Sequence, residues 1–225
     1  TRFSQPLDHA RAVNTDGTAT LLELATSLPR LRRIVHVSTA FVAGASTGTI
    51  FERDHASAAG WVNAYEQSKH EAETLVRSCA DEWVIVRPST IACDSVAGGI
   101  SQINALHRAL RLYHHGLAAM IPGEESTPVD IVPTDYVARA IADLALREGS
   151  AGETYHLCAG ANALPLGELL DATWEIWGRC REWRRRSIVR PALTDLATYR
   201  LFERTVDEIG DLRLGNAMRA LSHFV

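Results

Sequence analysis

Cysteine is scarce in this chain, and its spacing is uninformative for metal or disulfide chemistry. Cys79, Cys93, Cys158 and Cys180 are scattered without any C-x-x-C pair. That excludes a disulfide framework and a zinc ribbon, and it suits reduced thiols in a cytoplasmic protein. Long apolar runs are missing too: nothing approaches the length of a membrane span, and no signal peptide opens the chain. Neither sign of charge dominates, since the formal net charge is −4, which argues against a general nucleic-acid or membrane-surface binder. Also absent is any G-x-G-x-x-G or G-x-x-G-x-x-G turn, the backbone cradle that holds a pyrophosphate at a helix N-terminus. Metal ligation is not expected: His114 and His115 are adjacent, so on a helix they should point apart, and carboxylates at metal-site spacing are lacking.

What is present begins with Asn63-Ala-Tyr-Glu-Gln-Ser-Lys69. Tyr65 and Lys69 are four apart, one turn from each other on the same face of a helix. A free phenol titrates near about 10, and an ammonium one turn away is expected to pull it toward the working range of a general acid. The same lysine can reach a ribose hydroxyl. By itself Y-x-x-x-K is more often an amphipathic surface pair; its neighbours raise its significance. Upstream, the β-branched run Ile34-Val35-His36-Val37 reads as a buried parallel strand ending in Ser38-Thr39. Downstream, Trp83-Val84-Ile85-Val86 reads as another, ending in Arg87-Pro88-Ser89-Thr90. In open α/β sheets ligands bind beyond the carboxyl ends of strands, where these groups fall.

The remaining chain supplies further elements. Residues 16–28 predict a helix with Leu21, Leu24 and Leu28 on one face and Asn14 as its cap. A small-residue stretch, 56–60, precedes the Tyr/Lys helix, predicted over 62–80, on which His70 reads as a solvated histidine. A helix carrying Ile103, Leu106 and Leu110 is predicted next. Val129 to Val137 reads as a short strand feeding a helix striped by Val137, Ile141 and Leu144, and Glu153 to Cys158 as another sheet strand. Leu170, Trp174 and Trp177 share one helical side, which is read as core. The run 179–190, with Arg181, Arg184, Arg185 and Arg186 around Trp183, has two readings. It is a solvated strand edge, or a landing patch for coenzyme A or a phosphopantetheine carrier. Residues 193–225 read as helical.

The hydroxyl pair at one strand end, the Tyr/Lys helix and the Arg-Pro at the next strand end resemble the extended short-chain dehydrogenase/reductase superfamily. H-V-S-T-A, Y-E-Q-S-K and V-P-T-D-Y-V are similar to its acyl-thioester reductase branch, which includes fatty acyl-CoA reductases and terminal reductase domains of carrier-protein enzymes. The resemblance covers most of residues 1–160. It implies an α/β fold: a Rossmann-type doubly wound parallel sheet over 1–92 and 129–158, with a small mainly helical substrate lobe over 93–128 and 159–225. It implies Thr39, Tyr65 and Lys69 as the catalytic group. Ser38, Tyr65, Lys69, Pro88, Ser89, Thr90 and Ile91 would meet the cofactor, NAD or NADP with NADP slightly favoured. Asn14 would support the active-site helix or a proton relay instead of merely capping. The implied partner is a small-molecule or carrier-bound acyl thioester, with a homodimer left open. Set against the superfamily, the chain starts after the fourth strand, so it reads as a fragment lacking roughly 60 residues, at least two βαβ units. The residue that discriminates NAD from NADP would lie in that part. The competing expectations are a nucleotide-sugar epimerase or dehydratase, and a non-catalytic relative that kept these residues without binding the cofactor.

Overall fold

Parallel pairing around one fully buried strand organises the computed structural model, which describes residues 5–54, 59–79, 82–100 and 102–209. The first elements are α1 (Leu7–Arg11), a π-helical turn (Ala12–Asp16), α2 (Gly17–Thr26), β1 (Ile34–Val37) and α3 (Ala64–Cys79). There follow β2 (Trp83–Pro88), β3 (Thr90–Ile91), α4 (Ala105–His114), β4 (Met120–Pro122), β5 (Pro128–Val129) and β6 (Ile131–Val132). The last are α5 (Thr134–Leu146), β7 (Glu153–Leu157), β8 (Leu164–Pro165), α6 (Leu166–Gly178), α7 (Arg181–Arg184), β9 (Ala192–Thr194) and α8 (Leu196–Ile209). They form two units, Thr1–Gly99 with Ile131–Ala159, and Ile100–Asp130 with Gly160–Val225.

In the first unit β1, β2 and β7 make a parallel sheet in the order β1-β2-β7. Side chains alternate across a strand, so the apolar run of β2 has to be covered on both faces. Val84 and Val86 pack with Val137, Leu144 and Leu157 beneath α5. Ile85 points the other way, onto Leu22 and Val76 of α2 and α3. Each such side chain contributes about 1.5–3 kcal/mol when fully buried. This is the doubly wound α/β arrangement expected from the sequence.

The apolar stripe of Leu21, Leu24 and Leu28 is not the face that packs: these residues are 66%, 56% and 48% exposed, and Leu22 is the leucine of α2 that is buried. The face of α2 that packs is chosen by its contacts with α3, and the leucine stripe lies on the other side. Asn14 does not cap a helix either, because it lies inside the π-helical turn joining α1 to α2.

The second unit has its own core of Tyr113, Ala118, Leu166, Leu170, Tyr199 and Val206. β4 pairs parallel with β9, and β5 antiparallel with β8. Leu106 is buried, whereas Ile103 precedes the helix and is 56% exposed. The helical reading of 193–225 is met by α8 up to Ile209 but not at its start, where Leu193 and Thr194 belong to strand β9; residues 210–225 lie outside the described residues, as do 56–58 of the small-residue stretch. The basic run is not a strand edge. Residues 181–184 form the short helix α7, anchored by Trp183, which is buried and donates from Nε1 to the His114 carbonyl at 3.0 Å. Nor do His114 and His115 point apart: the helix ends at His115, and the rings meet edge to face with centroids 5.4 Å apart.

α3 is locked to β2 by an ion pair that excludes water. The Arg87 guanidinium donates from Nε to Glu73 Oε1 at 2.9 Å and from Nη2 to Oε2 at 2.7 Å, with both side chains 2% exposed. Arg77 adds a bond of 3.2 Å to the same carboxylate. Burial pushes the Glu73 carboxyl up, but the guanidinium of Arg87, the Ser38 hydroxyl and the charge of Arg77 outweigh it and hold it below 4.5. A depressed carboxyl stabilises the fold above its unfolded-state value, and that contribution is lost as pH falls through the lower folded value. Glu73→Ala should therefore cost about 3–5 kcal/mol, because Arg87 is left buried and unpaired. Removing the exposed pair of Arg179 and Glu175 should cost less than about 1 kcal/mol. Urea unfolding at pH 7 and again below pH 4.5 checks both, with the Glu73 penalty shrinking in acid.

Candidate functional site

The carboxyl ends of β1 and β2 gather the polar groups. Ser38 continues the ladder beyond β1, donating its N–H to the Val86 carbonyl at 2.8 Å. Thr39 then turns the chain: its backbone is extended, and its Oγ1 accepts from the Phe41 N–H at 3.3 Å to cap a short 3₁₀ turn, Ala40–Ala43. Both hydroxyl residues are buried. On β2, Pro88 is the last residue in register, opposite Leu157. Ser89 still donates to the Leu157 carbonyl of β7 at 3.2 Å, and the chain then changes partner, as Thr90 and Ile91 pair with Ile131 and Val132. Pro88 has no N–H to extend the first ladder, so the switch falls there.

α3 brings its own residues to the same place. Asn63 and Glu66 cap its start reciprocally: Asn63 Oδ1 accepts from the Glu66 N–H at 3.1 Å, and Glu66 accepts from the Asn63 amide at 2.8 Å and from the Val62 N–H at 2.9 Å. This is a variation on the capping box, with Glu66 bonded to the Val62 N–H and the Asn63 side chain in place of the Asn63 backbone N–H, and N-A-Y-E carried its signal in the sequence. Ser68, fully buried, donates from Oγ to the Tyr65 carbonyl at 3.0 Å and accepts from Asn14 Nδ2 at 2.9 Å. Thr15 donates to the Ser68 carbonyl at 3.2 Å. Thus Asn14 supports the Tyr/Lys helix, through the residue immediately before Lys69. The adjacent Arg11 grips Glu71 at 2.7 and 2.9 Å.

Tyr65 and Thr39 are hydrogen-bonded to each other. Burial raises the Tyr65 phenol above 10, the Thr39 hydroxyl opposes it, and the Glu66 charge adds to the rise. The expected lowering by Lys69 is not found. The reason is geometric: Lys69 Nζ donates to the Val37 carbonyl at 2.7 Å, bonded to the strand end and not to the phenol. Burial lowers the Lys69 ammonium, with Glu73 opposing. His36, on the neighbouring strand, is pushed down to about 4 by burial and then by Lys69, so it is neutral at pH 7. His70 is not a freely solvated histidine; it is half-buried against Trp61, ring centroids 5.1 Å apart.

Thr39, Tyr65 and Lys69 thus meet around the end of β1, with Ser38 beside them, while Pro88 to Ile91 mark the point where the sheet divides. Ser68, Asn63 and Glu73 were not singled out from the sequence, yet they hold the helix that carries the pair. Among the described residues no group of three or more His, Cys, Asp or Glu is placed to hold a metal ion, and no helix is long and apolar enough to cross a membrane.

Comparison with known proteins gives this geometry a family. Residues 1–141 match the NAD-binding family described as Male sterility protein. The terminal R domain of the myxalamid PKS-NRPS biosynthetic pathway superposes with a TM-score of 0.73 at 26% identity, covering 99% of this chain and 53% of that one. The non-canonical nonribosomal peptide synthetase FrzA from Cladobotryum sp is 28% identical over 177 residues, 73% of this chain and 17% of FrzA. UDP-glucuronic acid 4-epimerase from Bacillus cereus, solved with NAD, shares the fold, with a TM-score of 0.61 at 20% identity over 81% of this chain and 56% of its own. The chain therefore spans about half of the R domain it matches and a smaller part of FrzA. It belongs to the Male sterility protein family of NAD-binding domains, in the thioester-reductase branch of the extended short-chain dehydrogenase/reductase superfamily.

Proposed function

We propose that this chain carries the catalytic group of an NAD(P)H-dependent reductase of acyl thioesters, coenzyme A-bound or carrier-bound, yielding an aldehyde or alcohol. The observation that carries the reading is the hydrogen bond between Thr39 and Tyr65 at the end of β1, with Lys69 one turn along α3. The thioester branch is supported by H-V-S-T-A, Y-E-Q-S-K and V-P-T-D-Y-V and by likeness to an R domain and a peptide synthetase.

The donor set fits the nicotinamide half of a dinucleotide. Lys69 offers an ammonium for ribose hydroxyls, Ser38 a hydroxyl beside it, and Pro88 to Ile91 a backbone freed from one ladder. NADP is slightly favoured over NAD by the resemblance. When bound, the reduced cofactor supplies a hydride to the thioester carbonyl carbon. Thr39 accepts from the Phe41 N–H and is bonded to Tyr65 in this structure; with a thioester in place its O–H would turn to the developing oxyanion. Tyr65 gives that oxygen its proton; collapse of the resulting hemithioacetal breaks the carbon–sulfur bond and releases thiol and aldehyde. The buried phenol keeps its proton at pH 7, the state an acid needs.

Two measurements bear on this. In the intact parent protein Tyr65→Phe should lower thioester-dependent oxidation of NADPH by about 10²–10⁴-fold while leaving NADPH affinity nearly unchanged, whereas Lys69→Ala should weaken both. A variant of Tyr65 keeping more than a tenth of the rate would remove it from the role of acid. In a substrate panel that follows cofactor absorbance and sugar chromatography together, acyl thioesters should be consumed and nucleotide sugars left intact. Turnover of sugars without thioester-dependent oxidation would transfer the site to epimerase chemistry.

A further inference from the structure

The basic run of the second unit is built as a surface. Trp183 inserts from α7 beneath the end of α4, its Nε1 on the His114 carbonyl, and it meets Trp174 edge to face with centroids 5.0 Å apart. That anchor fixes Arg181, Arg184, Arg185 and Arg186 outward, all exposed. Arg186 reaches back to the His114 carbonyl and to His115 Nδ1, each at 3.4 Å, which joins α7 to the end of α4. On α4 the exposed Arg108 and Arg111 lie on the same face as His115, at helical spacing. The patch is thus continuous from one helix to the other.

Its arginines are not paired within the chain. Among the described residues, none of Arg108, Arg111, Arg181, Arg184, Arg185 and Arg186 is ion-paired with a carboxylate, whereas the exposed Arg139, Arg147 and Arg179 are, and so is Arg190. The exposed Arg30, Arg32, Arg53, Arg200 and Arg204 are not ion-paired among the described residues either; what sets the patch apart is that six such arginines gather on α4 and the α7 segment, with Glu182 the one carboxylate on those two helices. In a chain of net charge −4 this is a local concentration of one sign, not a reflection of composition. Trp174, 37% exposed, lies beside it. Arginine together with partly exposed tryptophan is the composition of protein-binding hot spots, and the overall negative charge disfavours an extended polyanion.

We infer that this surface docks the acidic face of a carrier domain that presents the acyl thioester on its phosphopantetheine arm. The inference rests on the thioester reading above and adds to it the partner and the place of contact. A tethered substrate needs its carrier held, and arginines unpaired within their own chain can pair with carboxylates across an interface. Complementary charge of this kind speeds encounter and fixes orientation.

The test is a calorimetric titration of the full chain with an acidic acyl carrier domain loaded with an octanoyl-phosphopantetheine thioester. The combined variant Arg111→Glu, Arg184→Glu and Arg185→Glu should weaken binding at least about tenfold at low salt, since like charges then face each other. The control Arg139→Glu with Arg147→Glu should stay within about twofold of the parent chain, and thermal melts by circular dichroism establish that both variants fold. Binding should also fall as salt is raised. No binding by the parent chain, or equal binding by the patch and control variants, would overturn the inference. So would duplex DNA binding as tightly as the carrier with the same sensitivity to the variant. A parallel assay uses the octanoyl thioester of N-acetylcysteamine, which has no carrier. The patch variant should reduce it at the parent rate while losing turnover of the carrier-bound thioester. These rates are read in the intact parent protein; if it reduces neither thioester, the thioester reading fails and the titration still decides the docking surface by itself.

Discussion

The rotation of α3 about its own axis decides everything at the site, and the bond that sets it is the buried grip of Arg87 on Glu73. Tyr65, Lys69 and Glu73 follow one another at four-residue spacing, so they share a face. Fixing the last therefore aims the other two. A guanidinium fork on a carboxylate permits little rotation, because both oxygens are engaged in parallel bonds. An apolar contact of the same size could hold the helix as firmly against the sheet, given what desolvating two charges costs. It would leave the helix freer to turn. The ion pair is better understood as a register pin than as a source of net stability.

A second set of polar contacts acts on the neighbouring face. Ser68 takes bonds from Asn14 and Thr15, and Glu71 takes Arg11, so the segment 11–15 runs along α3 beside the reactive pair. The chain there is a π-helical turn between two α-helices. Such turns carry an irregular hydrogen-bond pattern and often mark functional positions. Here the turn presents Asn14 and Thr15 to one serine. Each of these bonds is worth only about 1 kcal/mol, but Ser68 has no exposed surface, so losing a partner would leave a polar atom dry.

Much of this arrangement could be read before the structure was known, and the parts that could not share a cause. The strands β1 and β2 are short β-branched runs ending in chemistry-bearing residues, and the α5 stripe of Val137 and Leu144 is buried as its periodicity indicates. These signals are local. Asn14 failed because a capping preference is a local statistic, while its actual bond runs to Ser68, 54 residues away. The face shared by Leu21, Leu24 and Leu28 is exposed, because periodicity finds an apolar face without saying what covers it. The run 179–190 was readable as charge but not as shape, since α7 is held by Trp183 against an element far earlier in the chain. The ion pair of Glu73 with Arg87 had no sequence signal, because nothing in either segment predicts which residue of α3 lies over β2. Asn63 three residues before Glu66, by contrast, is a local helix-start signal, and the two residues bond each other there.

The electrostatics of Tyr65 bear on the direction of the chemistry. An ammonium close to the phenol would favour the phenolate, which suits a base that removes a proton from a hydroxyl. In this structure the ammonium of Lys69 is bonded to the Val37 carbonyl, and burial dominates, so the phenol holds its proton more tightly than in water. The phenol is therefore protonated at pH 7, as an acid must be before it acts, but the tighter hold makes it a weaker acid than in water, so delivery depends on the developing oxyanion drawing the proton. Sugar epimerisation through a ketone intermediate begins with oxidation of an alcohol and so needs the base first. Reduction of a thioester begins with hydride arrival and needs the acid. On the proposed reading one phenol serves either direction, as acid in reduction and as base in oxidation, with no change in the residues present. That is why the same Tyr/Lys spacing can serve opposite reactions on one fold, and why spacing alone could not choose between them.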